Sequence, residues 1–243
     1  MSNYKVANTS RAFFLKSSVD GWVTLVTPNQ LPVQHFCCME NPLQQHWETV
    51  YKTNTAQQVS WTEEVPAQSL ALIAELNLPK DAAIVDIGGG DSKLVDHLLA
   101  QGYTNITVVD ISAAALERAK VRLGDAAATV QWVVSDVLAF EPTQSFALWH
   151  DRAAFHFLTN PADVQRYLQL LEKNVAGNVI IAAFSTEGPS KCSGLPVQQY
   201  SEGSMCSLME GRFHKLKCDT VTHITPAAAR QEFVYCGFSK NQA

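Results

Sequence analysis

The chain has 243 residues, of which 47% are apolar, and this is enough to bury one full hydrophobic core. Its formal net charge is −5, with acidic and basic residues interspersed, which argues against a nucleic-acid substrate. No apolar run approaches the roughly 18 residues of a membrane-spanning helix. We therefore expect one soluble domain, without membrane partners and located in the cytoplasm.

The first 38 residues differ from the rest of the chain. They contain Lys5, Arg11 and Lys16, scattered serines and no acidic residue before Asp20. This composition is compatible with an organelle-targeting peptide. A loosely ordered extension agrees better with the sequence, because apolar residues do not recur there at the spacing of a helix or a strand. We expect the extension to cover residues 1–38 and the folded domain to cover residues 39–243.

Regular elements begin at Pro42. Two predicted helices, Pro42 to Tyr51 and Pro66 to Leu76, form a helical cap over residues 42–76 that precedes the first strand. Near-continuous apolar strands then alternate with helices, which indicates a parallel sheet covered on both faces. The predicted strands cover residues 84–87, 106–109, 130–134, 146–151 and 179–184. Asp91 or Ser92 is predicted to N-cap the first of the helices between them, the second is predicted to begin at Ser112 and stop at Gly124, and Asn160-Pro161 is predicted to cap a third that runs through Leu171.

The C-terminal part does not continue the alternation of strands and helices. A short helix around residues 202–209 precedes two predicted strands at 213–222 and 232–238. The connection between these strands is too short for a parallel crossover, so we expect them to pair antiparallel. The predicted fold class is therefore α/β, with a doubly wound, mostly parallel seven-stranded sheet, a terminal antiparallel hairpin and an N-terminal helical cap.

A glycine-rich turn follows the first predicted strand, as Asp86-Ile87-Gly88-Gly89-Gly90. Such a turn lets a nucleoside ligand lie against the main chain at the start of a helix. A dinucleotide fingerprint requires a third glycine where this chain has Lys93, which argues against a nicotinamide oxidoreductase. Asp110 and Asp136 follow the next two strands, where their carboxylates can accept from ribose hydroxyls and from an adenine amino group.

This combination resembles the class I S-adenosylmethionine-dependent methyltransferases, whose first motif reads acid-x-Gly-x-Gly. The resemblance extends from about Gln45 to Ser239. It implies a Rossmann-like fold, S-adenosyl-L-methionine as the cofactor, and methyl transfer by in-line displacement. Asp86 is expected to hold the glycine loop through backbone N–H groups. The cofactor-binding residues implied are Asp86, Gly88, Gly89, Gly90, Asp110, Ile111, Asp136, Val137 and His150.

Two further segments carry a narrower resemblance. Asp151-Arg152-Ala153 is similar to the step after strand four in thiopurine methyltransferases and in the lysine methyltransferases of elongation factors or citrate synthase. This implies that Asp151 faces the methyl group, and His156 is a second candidate for the catalytic base. The aromatic residues Trp47, Tyr51 and Trp61 resemble the N-terminal segment that closes over the cofactor in those enzymes, and aromatic faces suit a sulfonium cation.

The methyl acceptor is left open between a small molecule and a protein lysine. A closed pocket at Phe155 and Phe157 favours a small molecule, whereas an acidic groove at Asp151, Glu187 and Glu202 would favour a lysine. The long Gly-, Pro- and Ser-rich segment 185–200 is predicted to be a substrate lid. A non-catalytic cofactor-binding subunit remains the alternative, and its sign would be a blocked pocket above Asp151.

The six cysteines lack the paired short spacings of a zinc site, and no secretory signal precedes them. We expect reduced thiols and no metal site. Thiol chemistry of the kind used in arsenic methylation would need several positioned cysteines, and only Cys192 lies in the predicted lid. The expected oligomeric state is a monomer or a dimer.

Overall fold

The computed structural model describes residues 41–241, so the predicted extension over residues 1–38 lies outside the described residues. Six α-helices alternate with seven main strands in this range. The helices are α1 Pro42–Thr53, α2 Ala67–Glu75, α3 Leu94–Ala100, α4 Ala113–Leu123, α5 Pro161–Asn174 and α6 Glu202–Met209. The strands are β1 Ile84–Ile87, β2 Ile106–Asp110, β3 Val130–Val134, β4 Phe146–Arg152, β5 Val175–Phe184, β6 Phe213–Ile224 and β7 Arg230–Lys240.

The seven strands form one sheet in the order β3-β2-β1-β4-β5-β7-β6. Strands β1 to β5 are parallel, whereas β7 runs antiparallel to both β5 and β6. This confirms the predicted mostly parallel sheet with a terminal reversed hairpin. Because the order reverses beside β1, the carboxyl ends of β1, β2 and β4 meet at the switch point where open α/β sheets bind ligands.

The helical cap is held to the N-terminus of α4 through α1. The Glu48 carboxylate on this helix accepts hydrogen bonds from Ser112 Oγ at 2.8 Å and from Ala114 N at 3.1 Å. A carboxylate is stabilised at a helix N-terminus, here that of α4, because the backbone N–H groups and the helix dipole both favour negative charge there. Although burial acts in the opposite direction, these hydrogen bonds and Lys52 lower the pKa of Glu48.

Two predicted boundaries are wrong. Strand β5 begins at Val175, four residues before the predicted start at residue 179. Gly177 lets the chain pass close to β4, since a Cβ there would lie 2.5 Å from Ala147 O. Helix α3 begins at Leu94 with Lys93 at the N-cap, rather than at Asp91 or Ser92. Ser92 still contributes, because its Oγ accepts from Leu94 N at 3.2 Å.

The prediction that all cysteines are reduced is wrong for one pair. Cys218 and Cys236 form a disulfide between paired positions of β6 and β7, since neighbouring antiparallel strands bring their Cα atoms to 4.2 Å. Cys192 and Cys206 are free thiols. Within residues 41–241, none of the helices is both long and apolar enough to cross a membrane.

Candidate active site

A cavity of about 410 Å³ opens at the carboxyl ends of β1, β2 and β4, with the cap helices on its other side. Its size lies within the range typical of small-molecule sites. All but one of the predicted cofactor-binding residues line it, the exception being Gly90. The predicted residues in the lining are Trp47, Tyr51, Trp61, Asp86, Gly88, Gly89, Asp110, Ile111, Asp136, Val137 and His150.

The backbone angles and close neighbours of the turn leave no room for a side chain at Gly88 or Gly90. Gly88 and Gly90 have φ angles of 63° and 48°, in the left-handed region that glycine adopts at least cost. A Cβ on Gly88 would lie 2.6 Å from Ala154 Cβ, and one on Gly90 would lie 2.6 Å from the Tyr51 hydroxyl. The turn therefore presents bare backbone to the cavity, which suits a nucleoside cofactor.

Asp110 ends β2 as a buried carboxyl group. Its Oδ1 accepts from Ser112 N at 2.8 Å, and it also receives a hydrogen bond from the backbone of Gly90. Burial, reinforced by the nearby charges of Asp91 and Asp86, raises the pKa of Asp110 to about 7 despite these hydrogen bonds. This group fits the predicted ribose acceptor.

Asp136 follows β3 and lies at the far side of the same cavity. Its Oδ1 accepts from Leu138 N at 2.9 Å, and its Oδ2 accepts from the Asn41 side chain at 3.3 Å. Each oxygen retains a lone pair, so a further donor such as an adenine amino group can still be accommodated. Asp110 and Asp136 thus present two carboxylates to the same cavity.

The cap covers the cavity with a cluster of rings. The ring of Trp47 lies 5.6 Å from that of Trp61 and 5.1 Å from that of Phe157, and both contacts are edge-to-face. Tyr51 is buried beside them, 6.0 Å from Trp61. The prediction that Phe155 also lines the pocket is wrong, because its ring is fully buried between Tyr167 and Tyr200.

Asp86 makes a contact that the sequence did not suggest. Its Oδ1 lies 2.7 Å from His150 Nδ1, because the two residues are paired in register on β1 and β4. The other ring nitrogen, His150 Nε2, lies 2.9 Å from the hydroxyl of Ser69 on α2. The Asp86 oxygen therefore pairs with the imidazole instead of bracing the glycine loop as expected. His150 lines the cavity and lies between two polar partners, Asp86 and Ser69.

Arg152 extends the polar wall toward β7. Its Nε donates to Tyr235 Oη at 2.8 Å and lies 3.2 Å from Glu63, and its Nη1 donates to Trp61 O at 3.0 Å. Burial alone would raise the pKa of Glu63, but the His223 hydrogen bond and the Arg152 charge lower it. A buried, paired guanidinium therefore closes the end of the cavity away from Asp110.

Both predicted catalytic residues lie outside the cavity lining. Asp151 is fully buried, and its carboxylate accepts from Ala154 N, from Phe155 N and from the Tyr167 hydroxyl at 2.6 Å. Burial raises its pKa to about 6, although these hydrogen bonds act against the shift. The prediction that Asp151 faces the methyl group is not supported, because all its partners belong to the turn beneath the site and to α5.

His156 is equally enclosed. Its Nδ1 accepts from Phe184 N at 3.3 Å, so the proton lies on Nε2, which is buried and has no hydrogen-bond partner. Burial lowers its pKa to about 3, assisted by the charge of Arg152. A neutral imidazole packed beside Phe157 and Phe184 serves the core rather than the cavity.

The predicted lid, residues 185–200, is folded against the domain. Residues 191–192 and 195–196 form a small hairpin, and Ser185 bridges to Tyr200. Cys192 is the residue of this segment that reaches the cavity lining, and burial raises the pKa of its thiol to about 11. Glu187 and Glu202 do not line the cavity, so the acidic groove expected for a lysine substrate is absent there.

Sequence reasoning assigned no role to Ser69, Glu63 or Arg152. For Ser69 a signal existed: it occupies the same buried face of α2 as Leu72 and Ile73, where a hydroxyl needs a partner. For Glu63 no local pattern could have shown its partners, because they come from β4 and from the hairpin strand β6.

Comparison with known proteins agrees with this geometry. Residues 84–176 match the family model of a methyltransferase domain. No curated protein sequence matches the chain.

Solved structures share the fold at low sequence identity. A 1,6-didemethyltoxoflavin N1-methyltransferase from Burkholderia thailandensis, solved with S-adenosylhomocysteine, is 18% identical, with 82% of this chain and 88% of that chain covered and a TM-score of 0.62. An S-adenosylmethionine-dependent methyltransferase from Anabaena variabilis is 15% identical, with 83% and 96% covered and a TM-score of 0.64. The magnesium protoporphyrin IX methyltransferase of Synechocystis is 13% identical, with 83% and 92% covered and a TM-score of 0.59.

Proposed function

We propose that this chain, which belongs to the class I S-adenosylmethionine-dependent methyltransferases, methylates a small molecule bound inside the cavity. When bound, S-adenosyl-L-methionine supplies an electrophilic methyl group on a sulfonium. The chain fits this cofactor, because the glycine turn leaves room for it and Asp110 and Asp136 offer acceptors at the nucleoside end.

The observation that carries the proposal is the shared cavity. Its lining combines the nucleoside end at Asp110 with the rings of Trp47, Trp61 and Phe157 and with the polar wall at His150. An acceptor that reaches the methyl group must therefore enter a space bounded by aromatic rings. Flat or ring-containing molecules suit such walls, and related folds include methyltransferases named for toxoflavin and protoporphyrin substrates.

A protein-lysine acceptor is the second candidate. Of the three acids that would have formed its groove, Asp151 is buried under the site and the other two lie elsewhere. A non-catalytic subunit would be favoured by a blocked pocket, but the cavity is open above β4. The domain bounds 39–243, a cytoplasmic location and a monomeric or dimeric state remain predictions from the sequence.

The proposal is tested by incubating the protein and cell extract with methyl-labelled cofactor, followed by separation of the macromolecular and metabolite fractions. We expect label in the metabolite fraction. Label confined to protein would support the lysine acceptor, and an absence of transfer by a protein that binds S-adenosylhomocysteine would support the non-catalytic subunit.

A further inference from the structure

We propose that Ser69, His150 and Asp86 form a proton relay that removes a proton from the methyl acceptor, so that the acceptor carries an O–H or N–H group. This inference rests on the proposed function, since it assigns a base to the same cavity. It differs from the sequence prediction, which placed the base at Asp151 or His156.

The three residues are aligned and buried. Ser69 Oγ lies 2.9 Å from His150 Nε2, and His150 Nδ1 lies 2.7 Å from Asp86 Oδ1. Their exposed fractions are 1%, 2% and 3%, yet each lines the cavity. A hydroxyl, an imidazole and a carboxylate in this order have the arrangement by which enzymes remove a proton from a hydroxyl group.

The hydrogen bonds define which nitrogen carries the proton. A carboxylate can only accept, so the short contact to Asp86 places a hydrogen on His150 Nδ1. In the neutral imidazole, Nε2 then has a lone pair that accepts from the Ser69 hydroxyl. The oxygen of Ser69 keeps lone pairs for a donor on the bound acceptor, and His150 is the basic partner behind it.

The side chains around His150 are mostly acidic. Asp86, Glu63 and Asp151 interact with it as carboxylates, whereas Arg152 is the opposing cation nearby and is itself paired with Glu63. Three acidic side chains and one guanidinium therefore lie around the ring, and the carboxylate of Asp86 is in direct contact with it.

Ser69 is also held in position. Its hydroxyl interacts with that of Tyr235, which accepts a 2.8 Å hydrogen bond from Arg152. Because Tyr235 lies on β7 and Ser69 on α2, this contact ties the cap helix to the sheet. The orientation of the serine therefore depends on β4, through His150, and on β7, through Tyr235.

The reaction balances with these groups alone. The acceptor's lone pair forms the bond to the methyl carbon, and the electron pair of the broken sulfur–carbon bond remains on sulfur. The acceptor's proton passes to Ser69 Oγ as the serine proton passes to His150 Nε2. Asp86 stays ionised and acts as a positioning residue. His150 is the single histidine among the described residues of the cavity lining. After product release it returns the proton to solvent.

The resting state can be tested without any acceptor. Nitrogen-15 NMR of the full chain bound to S-adenosylhomocysteine at neutral pH should show His150 protonated on Nδ1 only. Ser69→Ala should shift the Nε2 resonance, whereas Ser207→Ala, an exposed serine on α6, should not. A His150 that carries its proton on Nε2, or one already doubly protonated, would overturn the relay.

Transfer is tested with thiophenol and phenol as probes. Thiophenol ionises readily and needs no base, whereas phenol must lose its proton during the reaction. General-base catalysis typically contributes about 10²- to 10⁴-fold, so Ser69→Ala and His150→Gln should lower phenol methylation by roughly 100-fold or more and leave thiophenol methylation within about threefold.

Controls separate this inference from the function on which it rests. Calorimetry with S-adenosylhomocysteine shows that each variant is folded and binds, and Ser207→Ala should behave as wild type with both probes. Equal losses for phenol and thiophenol would contradict the relay while supporting the methyltransferase. If the wild type methylates neither probe, the assignment of an aromatic acceptor fails, and the NMR result alone decides whether the relay stands.

Discussion

Replacing Asp110 by asparagine should stabilise the protein and weaken its cofactor binding at the same time. The carboxyl group is buried at the end of β2, and its pKa in the folded protein is about 7 against an ordinary value of 3.8. Because the folded-state pKa is raised, the wild type loses stability as the pH rises from about 4 through 7. Asparagine does not ionise and avoids this loss.

The magnitude follows from the two pKa values. Converted at 1.36 kcal/mol per pKa unit, the difference corresponds to about 4 kcal/mol above pH 7 and to less than about 1 kcal/mol near pH 4. The asparagine side chain keeps one oxygen, which can still accept from Ser112 N. Its NH₂ group would face the Gly90 amide, so the hydrogen bond from Gly90 is lost at a cost of about 1–3 kcal/mol. We therefore expect a net gain of about 2 kcal/mol near pH 8 that becomes a net loss of about 1–2 kcal/mol near pH 4.

Thermal unfolding and calorimetry measure the two effects. For a chain of this size about 2 kcal/mol raises the melting temperature by roughly 4–8 °C, and the affinity for S-adenosylhomocysteine should fall at least tenfold as the ribose loses its acceptor. Asp125→Asn, at an exposed position after α4, is the matched control and should change neither quantity. An Asp110→Asn protein that is less stable near pH 8 than near pH 4, relative to wild type, would refute the reasoning.

Three other changes should have separable effects. Gly90→Ala forces a left-handed residue that costs about 1–2 kcal/mol and directs its Cβ at the Tyr51 hydroxyl, so calorimetry should show weaker S-adenosylhomocysteine binding, with partial recovery in the double variant with Tyr51→Phe. Tyr167→Phe removes a hydroxyl that donates to a buried carboxylate beneath the site, and chemical denaturation should show a loss of about 1.5–3 kcal/mol with cofactor affinity retained. Reduction of the disulfide between Cys218 and Cys236 opens a loop with a sequence separation of 18 and should lower the unfolding free energy by about 3 kcal/mol, whereas an unchanged melting temperature in reductant would contradict this.

The sequence predicted the fold well where local patterns determine it. The limits of α4 and α6 were predicted from Ser112, Gly124 and the short helix at 202–209, and the structure confirms them. The reversed hairpin followed from the length of one connection. Strand β5 was misjudged at its start, because the close approach of Gly177 to β4 depends on a contact between strands that no local pattern encodes.

Of the residues that line the cavity, the sequence indicated mainly those proposed for the cofactor. Asp86, Asp110 and Asp136 each end a strand or follow one, so sequence order alone places them at one edge of the sheet. The acceptor end depends on how the cap packs, and this decides that Ser69 meets His150. The residues predicted to be catalytic are buried by other contacts. Asp151, within β4, is enclosed by the following turn and α5, and His156 packs against Phe157 and Phe184.

We propose that one cavity holds the cofactor's nucleoside at Asp110 and presents its methyl group toward His150 and Ser69. A crystal structure of the complex with S-adenosylhomocysteine tests it most directly. We expect the ribose hydroxyls to be hydrogen-bonded to Asp110 and the sulfur atom to face the space between Ser69 and the ring of Phe157. A ligand bound outside this cavity, or a sulfur atom directed away from Ser69, would contradict it.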